Sequence, residues 1–438
     1  MRTHLSALVA ALVLPTHAAA FDGTALGEAA EALAPGAWVE LPTSGLRAAF
    51  EDDGSSLQIV TFSYEMEWSP GSRQFFFFGG DHNGCENFAI YDGDENEWRR
   101  APRPDWAPGC PSQNHSYNYH ALDTDNGYYF AFDQYDLEIW RYDIARDRWD
   151  QSIPRPSGDT YYARSNWSLE YTSFGLTLVG KNGEADRDVV SRYDVETETW
   201  IEVAQVPATE VIHVMSQYNP TSDVMIFGGG DDVDRLHRLD ADGTTTPLSR
   251  GPIASFSLHP RGGVVAVPDP ATGAFLFFWA ETNSFYALDA VEDSWTLLST
   301  EDYPFSDLGS ANDLVAAGVP NYGVVVFVRT TRDGERMWVY KHAESAGVPV
   351  PPYERDAGVA DAGRLDAGRV DAGRIDAGRI DAGVATDSGS RDANVPRSDG
   401  GDVVAASSGC SAGGAEPLSG VGGLALLWMR RRLIPRGA

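Results

Sequence analysis

Along most of this chain, continuous apolar runs alternate with short polar turns, and the same order of events recurs. An apolar run is followed by a turn, then by an aromatic residue or Leu beside Asp, then by Trp seven residues after that anchor. Phe75 to Phe78 with Gly79-Gly80 leads to Tyr91-Asp92 and Trp98. Tyr128 to Phe132 leads to Tyr142-Asp143 and Trp149, and Leu176 to Gly180 leads to Tyr193-Asp194 and Trp200. Val224 to Gly230 leads to Leu239-Asp240, with Thr246 where a Trp is due. Phe275 to Trp279 leads to Leu288-Asp289 and Trp295, and Val324 to Val328 leads to Trp338-Val339-Tyr340. The runs are rich in Phe, Val, Tyr and Trp, which suit a pleated, buried surface, so they are expected to be strands. Gly, Asn and Asp clusters such as Asp242-Gly243 and Asp333-Gly334 mark tight turns between them.

Each unit of roughly 50 residues has room for four short strands, and a period of that length marks a ring of repeated sheets. One four-stranded sheet cannot bury both of its faces, so the sheets must stack side by side and close. A buried Trp contributes roughly 4–6 kcal/mol by area, so the periodic Trp residues are expected in the core. After Tyr340 the chain runs into Lys341-His342-Ala343 and a Pro-rich stretch, leaving no outer strand for the last unit. Trp38-Val39-Glu40-Leu41-Pro42 resembles the outer strand that starts at Trp200. The N-terminal strand is therefore expected to complete the last blade and remove an open edge.

The glycine pair at 79–80, the run Gly228-Gly229-Gly230 and the aromatic-to-Trp spacing resemble kelch repeats. The region 38–343 is similar to the propeller domain of the kelch and galactose-oxidase group. The resemblance implies an all-β, six-bladed kelch-like β-propeller, with seven blades as the alternative count. Units two, three, five and six lack the double Gly, so the repeats are divergent. The cysteine, tyrosine and histidine copper ligands of galactose oxidase have no matching set here, and neither do sialidase turns. No cofactor, metal ligand set or catalytic residue is assigned.

Four regions follow. Residues 1–20 read as a signal peptide: Arg2 and His4, an apolar stretch from Leu5 to Leu14, and the small-residue site Ala18-Ala19-Ala20. Residues 21–348 form the propeller. Residues 349–408 carry Asp-Ala-Gly every five residues from Asp356, with Arg at 364, 369, 374 and 379, and too little apolar surface to fold. This is expected to be a disordered spacer. Residues 409–438 resemble a bacterial sorting tail of the myxosortase type. Gly409-Cys410 precedes an apolar stretch and Arg430-Arg431-Arg432, which would stay on the cytoplasmic side of a membrane. The resemblance implies a sorting protease that cuts near Cys410 and a protein anchored at the cell surface or outer envelope, or released from it. A plain membrane anchor is the alternative.

The chain has 33 basic and 64 acidic residues, a net charge of −31. Such a surface repels phosphate backbones and argues against a nucleic-acid partner. Of three cysteines, Cys85 and Cys110 fall in connections expected on one face, and an exported protein can join them as a disulfide. The same face is expected to carry Asp81, His82, Asn83, His115, Tyr161, Arg164, His213, Asp231, Asp232 and Asp234, a mixed rim suited to a carbohydrate or protein ligand. Asp231, Asp232 and Asp234 lack the spacing of an EF-hand calcium loop. His115 and His120, five apart, would point to opposite faces of a strand and are read as structural or exposed residues. The reading is an exported, tethered binding or interaction module. The alternatives are a carbohydrate-active or metal-dependent enzyme on the same scaffold and a structural envelope protein.

Overall fold

The computed structural model describes residues 23–50, 60, 63–80, 87–101, 116–132, 138–156, 167–182, 187–207, 214–230, 233–256, 263–301, 303–305, 313–331 and 334–345. They form six antiparallel four-stranded sheets and two short helices.

Blade 1 is β2 (Glu67–Ser69), β3 (Gln74–Gly79), β4 (Asn87–Asp92) and β5 (Glu97–Ala101). Blade 2 is β6 (His120–Asp123), β7 (Tyr128–Phe132), β8 (Glu138–Asp143) and β9 (Arg148–Pro154). Blade 3 is β10 (Ser168–Thr172), β11 (Gly175–Asn182), β12 (Arg187–Asp194) and β13 (Thr199–Pro207). Blade 4 is β14 (Met215–Asn219), β15 (Val224–Gly228), β16 (Leu236–Asp240) and β17 (Thr245–Pro247). Blade 5 is β18 (Val264–Pro268), β19 (Phe275–Trp279), β20 (Ser284–Asp289) and β21 (Ser294–Ser299). Blade 6 is β22 (Leu314–Val319), β23 (Val324–Thr331), β24 (Gly334–Tyr340) and, as its outer strand, β1 (Trp38–Glu40). The first strands touch in the cycle β2, β6, β10, β14, β18, β22 and back to β2, so the sheets surround a common axis. The fold is a six-bladed β-propeller.

The second strands explain the continuous apolar runs. Phe75 and Phe77 of β3 pack into the cluster shared with blade 6, while Phe76 and Phe78 pack into the cluster shared with blade 2. A strand between two other blades is buried on both faces, so alternation disappears and a run of Phe is stable.

The aromatic-Asp-Trp spacing is the signature of a hairpin between the third and fourth strands. Tyr91 lies opposite Trp98, Tyr142 opposite Trp149, Tyr193 opposite Trp200 and Leu288 opposite Trp295. The Asp side chain organises the turn: Asp92 Oδ1 accepts from the Asp94 and Glu95 N–H groups, and Asp289 Oδ1 from Val291 and Glu292. The residue two before Trp adopts the left-handed region, with φ of 53° at Asn96, 51° at Asp147 and 51° at Asp293. The Tyr91 hydroxyl then donates to Asn96 Oδ1 at 2.9 Å, joining anchor and turn. Blade 4 departs from this pattern. Its hairpin is a residue shorter, with Gly243 at φ +84°, so Thr245 rather than Thr246 lies opposite Leu239.

The expected burial of the periodic Trp residues holds fully at Trp98, which is 1 % exposed, while Trp149, Trp200 and Trp295 are half-buried. Trp98 differs because α2 (Leu46–Phe50) covers it: the Phe50 ring meets Trp98 edge-on at 4.8 Å and stacks on Phe77 at 5.5 Å. The glycine run at 228–230 has φ of +117°, +68° and +113°, and a Cβ at Gly229 would lie 2.5 Å from that of Phe256. Only glycine fits there.

The N-terminal strand closes the ring in the expected register, with Trp38 opposite Tyr340, Val39 opposite Val339 and Glu40 opposite Trp338. Trp38 stacks on Tyr340 at 4.3 Å and meets Phe285, Phe305 and Phe327 at 5.3–5.6 Å between ring centres. Helix α1 (Ala25–Ala32), unforeseen from the strand pattern, precedes this strand. Thr24 caps it by accepting from the Gly27 N–H, and the Thr24 hydroxyl lies 3.0 Å from that of Tyr322 in blade 6. Past the strand, the Ser44 carbonyl accepts from the Trp98 N–H, and Asn96 Nδ2 donates to the Pro42 carbonyl. The segment from Thr24 to Phe50 therefore spans blades 6 and 1. W38A should lower unfolding stability by roughly 3 kcal/mol in urea titration, whereas V39A, at an exposed position, should cost under about 0.5 kcal/mol; equal losses would show that the aromatic cluster is not what holds the closure.

Candidate functional site

Antiparallel pairing sorts the connections between the two faces of the ring. At one face lie the tight turns between first and second strands, such as 124–127 and 220–223, and between third and fourth strands, such as 93–96 and 290–293. At the other face leave the chain segments joining blades, 102–119, 155–167, 208–214, 248–263 and 300–313, together with those joining second to third strands, such as 80–86 and 229–235.

Every residue expected at a ligand rim falls in this second set, as do both propeller cysteines. Asp81, His82, Asn83, Cys85, Cys110, His115, Tyr161, Arg164, His213, Asp231 and Asp232 lie outside the described residues. So do Gly409, Cys410, Arg430, Arg431 and Arg432 of the tail. Asp234 is described, and its carboxylate lies 3.3 Å from Arg250 Nε, an ion pair on that face. His120 is structural: 1 % exposed, with Nε2 2.7 Å from the Phe78 carbonyl. That contact requires the proton on Nε2, and burial holds the imidazole neutral by pushing its pKa down to about 4. With the Phe78 N–H donating to the Tyr129 hydroxyl, it ties blade 1 to blade 2.

The described residues bring together a group that sequence reasoning passed over. The first strands enclose a cavity of about 340 Å³ on the axis. Its lining includes Glu65, Glu67 and Glu170, the amide of Gln217, and the rings of Trp68, Tyr171 and Tyr218. It reaches Asp125, Pro220, Pro270 and Pro320, so the cavity opens on the face of the tight turns. Glu65, 3 % exposed, spans three blades: its carboxylate accepts from Gln217 Nε2 at 2.7 Å, Asn118 Nδ2 at 3.0 Å and the His120 N–H at 3.3 Å. Glu170, 7 % exposed, joins blade 3 to blade 4 by accepting from the Ser216 hydroxyl at 3.0 Å and the Tyr218 N–H at 3.2 Å.

Burial disfavours the ionised carboxyls and pushes all three upward, Glu170 to about 8. Glu170 raises Glu65 and Glu67 further, and the donors on Glu65 partly oppose this. The signal was present in Glu65-Met66-Glu67 and Ser168-Leu169-Glu170: acidic residues at alternate positions of strands that should be buried. Their convergence depends on the ring, which brings residues 65, 170 and 217 to one axis.

No family model matches the chain, and no curated protein matches it. A structural genomics protein of unknown function from Bacteroides thetaiotaomicron VPI-5482 is similar in structure, with 12 % identity and a TM-score of 0.43. The match covers 69 % of this chain and 75 % of that one.

Glu170 has a higher pKa folded than its ordinary value of 4.5, so its share of stability is fully present below that value and is lost as pH rises through about 8. Unfolding free energy should therefore fall by a few kcal/mol as pH rises from about 4.5 to about 8 and level off above it. E170Q should flatten that decline, as read by urea titration at each pH; parallel curves for the two proteins would show that Glu170 is not the titrating group.

Proposed function

We propose that this protein is an exported, surface-tethered propeller that acts as a ligand-binding or protein-interaction module. The segments joining blades form the working face. The observation that carries this reading is the asymmetry of the connections: the first-to-second and third-to-fourth strand turns on one face are short, and the long segments joining blades start and end at the other. Segments such as 102–119 and 248–263 exceed what is needed to link neighbouring sheets, and surplus chain on a rigid scaffold is where binding residues are placed. The composition of those segments, with His82, His115, Tyr161, Arg164, His213 and several Asp residues, supports a polar ligand such as a carbohydrate or a protein surface. Export and tethering rest on residues 1–20, on the Asp-Ala-Gly spacer and on the Gly409-Cys410 and triple-Arg tail. The spacer would hold the propeller away from the envelope.

Glycan and peptide arrays probed with the full chain, with and without added divalent metal, test the reading. Binding of a discrete ligand class, weakened about tenfold by Y161A or R164A, is expected. Turnover of an arrayed sugar would favour the enzyme instead, and no binding in any condition would favour the structural envelope protein. Mass spectrometry of the mature C-terminus tests the tail. A new end near Cys410 is expected, and an intact Arg430-Arg431-Arg432 would reject processing.

A further inference from the structure

On the face opposite the proposed rim, the axial cavity has a chemistry of its own. Its lining includes Glu65, Glu67 and Glu170 but no Lys, Arg or His side chain. The three groups bonded to Glu65 are all N–H donors, which is the environment of a carboxylate rather than of a protonated acid that must itself donate. Glu67 accepts no hydrogen bond from a described residue. Buried negative charge is normally met by a partner of opposite sign, and no residue of the lining supplies one.

Two buried amides give a separate sign. Gln217, 4 % exposed and part of the cavity wall, gives its Nε2 to Glu65, and its Oε1 meets no donor among the described residues. Asn118, 2 % exposed, gives its Nδ2 to Glu65 and to the Ser216 carbonyl, and its buried Oδ1 has no partner. Of the two, Gln217 lines the cavity, so its oxygen is the acceptor open to a group that brings N–H bonds. A bare metal ion fits less well, because no three His, Cys, Asp or Glu side chains among the described residues converge closely enough to ligate one. The walls are instead the rings of Trp68, Tyr171 and Tyr218 with flanking prolines. Aromatic faces attract ammonium and guanidinium groups, and apolar walls suit an alkyl stem. The volume lies at the lower end of the range for small-molecule sites.

We propose that the axial cavity binds a compact organic cation, an alkylammonium or guanidinium group on a short apolar stem, through Glu65, Glu67, Glu170 and Gln217. The cation supplies the missing charge and N–H donors, and its stem lies against Tyr171, Tyr218 and Trp68. Because burial raises Glu67 and Glu170 above the usual carboxylate range, Glu170 to about 8, binding releases their protons and strengthens as pH rises toward that value.

Calorimetry and thermal unfolding of the full chain with 1,4-diaminobutane test the site, with n-butanol, sodium chloride and calcium chloride as comparisons. The diamine should bind with proton release and raise the unfolding temperature, and butanol should do neither. E67Q, which breaks no hydrogen bond among the described residues, and E170Q should each weaken the diamine about tenfold. E292Q, an exposed turn variant, should leave it unchanged. Circular dichroism establishes that each variant is folded. The assignment fails if the diamine gives no heat and no thermal shift, if folded E67Q and E170Q bind it as tightly as the parent, or if calcium or sodium displaces it at comparable concentration. Loss of array binding on the other face leaves this outcome untouched, since the two sites share no residue.

Discussion

The architecture depends on three residues of β1 pairing with β24. A propeller without closure is a curved stack with two free ends, and each free end exposes backbone and an apolar sheet face. Here the last blade contributes three strands and the N-terminus the fourth, so the ends of the domain hold each other. A three-residue ladder is weak by itself. It is fixed because Trp38 enters an aromatic group drawn from β20, β23, β24 and Phe305, which lies between blades 5 and 6. The same segment then crosses to blade 1, where Phe50 covers Trp98. The closure is therefore a strap across three blades, and it accounts for the only fully buried Trp among the hairpin positions.

Closing a ring of six sheets also creates an interior that no single sheet has. The second strands are pressed between blades and become apolar on both faces, as the four Phe residues of β3 show. The first strands cannot pack in that way, because they converge on the axis and leave space between them. Polar side chains fill that space. Glu65 and Glu170 reach donors on neighbouring or opposite blades, so the hydrogen bonds of the axis run between sheets and hold blades 1 to 4 in register around it. These carboxyls stabilise through their donors and destabilise through their shared charge, and pH sets the balance.

What could be read from the residues follows from what each signal depends on. The anchors at Tyr91, Tyr142 and Tyr193 were legible because a hairpin is local: the Asp side chain, the left-handed residue and the Trp all lie within nine positions. The closing strand was legible because Trp38 to Glu40 resembles another outer strand and one was missing at the end. Thr246 was off by one because blade 4 uses a shorter turn, and a fixed spacing cannot register that. The half-burial of Trp149, Trp200 and Trp295 was not legible, because among the described residues only blade 1 has a helix over its outer strand. The channel glutamates were hidden for a deeper reason: residues 65, 170 and 217 meet only after the whole ring has closed.

The two faces of the propeller thus follow different physical rules. On the face of the joining segments, the strands fix where each segment begins and ends, and described residues such as Phe256 and Phe305 anchor the segments in the core. On the axis, Glu65 of blade 1 holds partners from blades 2 and 4 at once, and replacing it disturbs all of them. A recognition surface that must adapt belongs on the first kind of face. A site that requires buried charge and fixed geometry belongs on the second, because only a closed ring can hold carboxyls together away from water. One strap of aromatic contacts near the N-terminus makes both possible.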